Sequence, residues 1–69
     1  MWKYNQISKT WDKIIRVGFF TLVFSIEYDE TLSSYFLKMS MSGREKSLLT
    51  SDIDSAKEMA DIEISNLLK

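Results

Sequence analysis

The chain has 69 residues, no cysteine and no histidine, a formal net charge of −1, and hydrophobic and charged shares of 45% and 28%. Those values describe one small globular domain spanning 1–69 and lie far from a disordered profile. They exclude disulfide staples, argue against a structural zinc site, and remove the two side chains behind most neutral-pH proton-shuttle and thiol chemistry.

Residues 1–18 support two readings. As a strand, Trp11, Lys13, Ile15 and Val17 share one face and Asp12, Ile14 and Arg16 the other. As a helix, Ile7, Trp11, Ile14 and Ile15 fall on one side and Gly18 ends it. The density of β-branched residues favours the strand, with the helix as the alternative. From Phe19 to Tyr28 the alternation is plain: Phe20, Leu22, Phe24, Ile26 and Tyr28 against Phe19, Thr21, Val23, Ser25 and Glu27. The first set predicts the core face.

Asp29 to Ser34 reads as a polar loop, and a second strand is predicted from Ser34 to Met41, with Tyr35, Leu37, Met39 and Met41 on one side. Ser42-Gly43 predicts a tight turn, with glycine at the positive-φ position, and a short strand returns over Glu45–Leu49. Residues 19–49 thus form a meander. A helix is predicted over 52–68: Ser51 and Asp52 are both candidate N-caps, Asp54 adds early negative charge, and Ile53, Ala56, Ala60, Ile64 and Leu67 recur at helical spacing, widened by Met59 and Leu68. The fold class is therefore α+β, an antiparallel meander of three to four strands packed by one C-terminal helix.

Trp2-Lys3, Ile7-Ser8, Trp11 and Gly18-Phe19 ahead of a strand, then Asp52-Ile53-Asp54-Ser55-Ala56-Lys57 opening the last helix, resemble small meander-plus-helix proteins encoded by phages and mobile elements. The resemblance implies the meander and an accessory role in such an element, and it carries no catalytic or ligand motif. The long hydrophobic run Gly18–Tyr28 and the acidic pair Asp29 and Glu30 depart from the pattern.

Enzyme chemistry finds no foothold. Two glycines cannot build a Gly-rich phosphate loop, and no Ser-x-x-Lys or Gly-x-Ser-x-Gly occurs. Glu27, Asp29 and Glu30 lack calcium-loop spacing and read as a solvated loop, so no metal, cofactor or small-molecule substrate is expected. The longest apolar run, Val17 to Ile26, has strand length and is too short to span a membrane as a helix. No h-region follows Met1, so a cytoplasmic location is expected.

Binding remains. A domain this small buries little surface and gains most from a partner. All nine aromatics lie at or before Phe36. If the helix covers one sheet face, Phe19, Val23 and Phe36 are expected on the other. Together with Trp2 and Tyr4, and with Glu58 and Asp61 as a polar rim, they form the predicted interface of a non-catalytic, homodimeric or host- or phage-protein-binding module. The alternative is nucleic-acid binding. Residues 1–26 carry +3 and residues 27–69 carry −4, so Lys3, Lys9, Lys13 and Arg16, with Arg44 and Lys46 at the turn, would meet phosphates. That supply of cations is thin for the purpose.

Overall fold

The computed structural model describes residues 1–40 and 42–68. Five strands, β1 (Lys3–Asn5), β2 (Thr10–Val17), β3 (Phe20–Asp29), β4 (Ser34–Met39) and β5 (Arg44–Ser47), precede a single helix, α1 (Ile53–Leu67). The strands pair in chain order as one antiparallel meander. Residues 10–17 are a strand, and the helical alternative for the N-terminal segment is not formed. The short β1 raises the strand count to five. Met41, expected at the end of the second meander strand, lies outside the described residues, as does Lys69.

Local chemistry explains each reversal. Asn5 and Asp29 each stand at a strand end and accept backbone N–H bonds from the loop ahead: Ile7 and Ser8 at 3.0 and 3.4 Å, Thr31 and Leu32 at 2.9 and 3.4 Å. Each loop then closes through a residue at positive φ, Lys9 at 58° and Ser33 at 50°. Such side-chain-to-backbone bonds replace the ladder where the chain must turn. Between β2 and β3 the connection is only two residues. Gly18 supplies a φ of +61° that an L-residue resists. Phe19 therefore occupies a turn instead of the first strand position expected of it.

Past β5 the ladder continues irregularly. The Leu48 N–H donates to the Tyr35 carbonyl at 2.9 Å, and the Tyr35 N–H donates to the Thr50 carbonyl at 2.8 Å. Leu49, at φ 54°, is the extra residue between them, so the strand bulges and Leu48 is delivered into the core. The expected strand to Leu49 thus ends in regular pairing at Ser47.

Asp52 is the cap of α1: its carboxylate accepts the Ser55 N–H at 2.9 Å. Chiefly that backbone bond, with help from the Ser55 side chain, holds the Asp52 carboxyl below its ordinary value. Ala56, Ala60 and Ile64 are buried, and the two alanines let the helix lie close to the sheet. Opposite them sit Phe24, Ile26 and Leu37, with Leu48 beside and Trp11, Ile15, Leu22, Tyr35 and Met39 packed at the margin. The register puts these sheet residues on one face, in cross-strand rows such as Trp11–Ile26–Leu37 and Lys13–Phe24–Met39.

The cover is shorter than the sheet. Fifteen helical residues span about 22 Å, whereas the ten residues of β3 span about 33 Å. Burial falls away along the core face of β3 towards the turn: Phe24 is buried, Leu22 half-buried and Phe20 64% exposed. Leu67 and Leu68, expected to close the far end of the helix, are themselves 48% and 44% exposed.

Candidate protein-binding surfaces

The seven residues expected to form an interface do not share a surface. Trp2 is 9% exposed and belongs to the core cluster. Its indole Nε1 donates to Asp61 on α1 at 3.0 Å. Lys13 donates to the same carboxylate oxygen at 2.8 Å, and its ammonium lies 5.5 Å from the Trp2 ring centroid. Trp2 and Asp61 are thus an internal clamp that ties the N-terminus to the helix. Tyr4 stays on the core face of β1, packed on Trp11 with ring centroids 5.2 Å apart, and Lys57 covers the Trp11 ring at 3.6 Å. Glu58 is exposed on the helix. Val23 and Phe36 do lie on the outer sheet face, both half-buried. Phe19 is on neither face.

The outer face is more polar than expected. Cross-strand partners read Lys3, Asp12, Ser25, Lys38 and Glu45 along one row. The neighbouring row brings Glu27 beside Phe36 and Phe36 beside Ser47. At its centre Thr10, buried, bonds Ser8 at 2.7 Å and donates to Asp12 at 2.8 Å. Alternating charges and satisfied hydroxyls suit these two rows to water, while the adjoining pair Ile14 and Val23 is apolar, with Ile14 67% exposed.

The cations proposed for nucleic acid are also dispersed. Lys13 is held by Asp61, and Lys46 pairs with Glu63 of α1 at 2.6 Å. Arg44 and Lys46 point to the helix side of β5, Lys3 and Arg16 to the outer side, and Lys9 sits in the β1–β2 loop. No single groove collects them. Among the described residues no group of three potential metal ligands converges, and no helix is long and apolar enough to cross a membrane.

Two ends of the sheet expose apolar side chains: Met1, Tyr4, Ile7 and Ile14 around one opening, and a second group at the β2–β3 end. Phe19 is fully exposed, Phe20 64% and Val17 43%, and Leu67 and Leu68 at the end of the helix are 48% and 44% exposed. Val17 and Phe20 are cross-strand partners on the core face, one row beyond Ile15 and Leu22. Beside Leu22, between β3, Met39 and the helix terminus, opens a cleft of about 210 Å³ lined by Leu22, Val23, Phe24, Met39, Ser42, Leu67 and Leu68. Four of these residues, Val17, Phe20, Leu67 and Leu68, were not among the expected interface residues. Two sequence signals point to them: a glycine turn flanked by Val17 and a Phe-Phe pair, and two adjacent leucines at a helix end, of which a single face can bury only one.

No protein-family model matches the sequence, and searches of curated proteins and of solved structures return no match either.

Proposed function

We propose that the chain is a non-catalytic protein-interaction module that binds through the apolar end formed by the β2–β3 turn and the C-terminus of α1. The observation that carries this reading is Phe19, fully exposed on a two-residue turn between the exposed Val17 and Phe20, with the exposed Leu67 and Leu68 sharing a cleft with Leu22, the next core-face residue of β3 after Phe20. Isolated apolar residues on a surface are ordinary, but a contiguous patch of this kind is a recognised mark of an interaction site. Aromatic side chains are also those in which interface energy concentrates. The chemistry of the chain supports a binding role: without histidine or cysteine it has neither the usual proton shuttle nor a thiol nucleophile. A cytoplasmic setting and an accessory role in a phage or mobile element follow from the sequence reading and complete the proposal.

Photo-crosslinking tests it. With p-benzoylphenylalanine at position 19, irradiation of cells of the source organism gives a defined protein adduct, whereas the same group at Lys38 on the outer face gives none. Equal labelling from both positions, or none from position 19, overturns the assignment.

A further inference from the structure

We infer that the partner seated on the apolar end is a second copy of the same chain, docked so that Phe19 of each enters the cleft beside the other's helix terminus. The inference rests on the reading of that end as a binding surface and adds its occupant and its geometry.

Three observations support a second copy as the occupant, the first by geometry and the other two by size. First, knob and hole occur on one chain at one end. Phe19 projects fully exposed from the turn, and the cleft between Leu22, Phe24, Met39, Leu67 and Leu68 opens about three residues along β3, roughly 10 Å away. The Phe19 ring does not line its own cleft and is left fully exposed. A two-fold axis satisfies both features at once, each knob filling the other copy's hole, which is the geometry an isologous interface requires.

Second, the volumes agree. The cleft measures about 210 Å³, and an apolar cavity of about 150 Å³ already accepts a benzene ring. Apart from Ser42 its lining is aliphatic, thioether and the Phe24 ring, so a phenyl ring meets little that it would have to desolvate unfavourably.

Third, the area reaches what a weak dimer needs. Taking about 200 Å² for a fully exposed phenylalanine, and scaling by the exposures of Phe19, Phe20, Val17, Leu67 and Leu68, each copy offers roughly 500 Å² of apolar surface. Two copies bury roughly 1,000 Å² between them, the lower bound for a specific interface. The dimer is accordingly expected to be reversible, with a dissociation constant on the order of 1–100 µM.

The test uses purified full-length chain. Sedimentation velocity from about 1 to 500 µM is expected to show a monomer–dimer equilibrium in the range given above. The Phe19→Ser substitution weakens it by at least about 30-fold, the loss typical of a central aromatic anchor. Ile7→Ser, a loss of exposed apolar surface at the opposite end of the sheet where Ile7 is 96% exposed, leaves it unchanged. Both positions are exposed, so folding is not at stake. Because the chain has no cysteine, mixing single Phe19→Cys and Leu68→Cys variants under mild oxidation gives a mixed disulfide dimer, while Ile7→Cys with Leu68→Cys does not. A monomer at 500 µM, or a dimer indifferent to Phe19→Ser, overturns the inference. A monomer that still gives a foreign photo-adduct from position 19 removes the second copy as occupant and leaves the binding module standing. Loss of both removes the reading itself.

Discussion

Replacing Trp2 with alanine separates the internal clamp from any role in recognition. The side chain is 9% exposed and bonded to Asp61, 59 residues away in sequence, so its loss acts on folding. Truncation of a buried aromatic costs about 3–5 kcal/mol, and the place of Trp2 at the margin of the sheet, ahead of the three-residue β1, puts the expectation near the lower value. A chain of 69 residues has a total stability of about 3–10 kcal/mol. Alanine at this position therefore takes a third or more of it, a fall in Tm of about 12–24 °C. Trp2→Phe keeps most of the ring and deletes only the Nε1 donor. Asp61 then retains Lys13 and, with its side chain 48% exposed, gains water, so this change costs about 1 kcal/mol. The assay is thermal and urea unfolding followed by circular dichroism at one fixed concentration of a few micromolar for every variant, so that self-association is held constant. A Trp2→Ala midpoint within about 3 °C of the parent would refute the clamp and return Trp2 to the surface.

Other consequences follow from the same packing. Ala60, fully buried on the sheet-facing side of the helix, has no room for a larger side chain; Ala60→Leu is expected to cost about 1–3 kcal/mol, read as a lower urea midpoint with an unchanged slope. Gly18→Ala meets no neighbouring atom but must adopt a φ of +61°, so about 1 kcal/mol is lost to backbone strain alone, visible as faster amide exchange across β2 and β3. The folded Asp52 carboxyl titrates below its unfolded value, so its stabilising effect is complete above the unfolded value near pH 4 and is lost as pH falls through the lower folded one. Asp52→Ala should therefore lower Tm more at pH 6 than in acid, and a pH-independent difference would contradict the assignment.

Much of the architecture was legible because it is written in short-range periods. The alternation through Phe20, Leu22, Phe24 and Ile26 marked the core face of β3, and the helical spacing of Ala56, Ala60 and Ile64 marked the buried stripe of α1. The Ser42-Gly43 turn was equally plain, with Gly43 at φ 67°. The β1–β2 reversal was not, because its signal is the single Asn5 side chain capping the backbone ahead of it. The bulge at Leu49 left no signal either: a leucine at positive φ runs against local preference and is held there by the two bonds to Tyr35. The candidate site was read least well. Phe19 was identified, but as a member of a sheet face, since a period-2 pattern does not show where a strand gives way to its turn.

The chain by itself determined that a small meander would form with one helix to cover it, and that aromatic residues would be concentrated in its first half. Only the tertiary structure decided which of them are covered. Trp2 is buried because Asp61 and Lys13 reach it from elements distant in sequence, and no local pattern encodes such a meeting. Phe19 and Phe20 are left exposed because a helix of about 22 Å cannot cover a strand of about 33 Å. Where that cover stops depends on how the two elements lie against each other, and it leaves the apolar end, knob and cleft together, open to a partner.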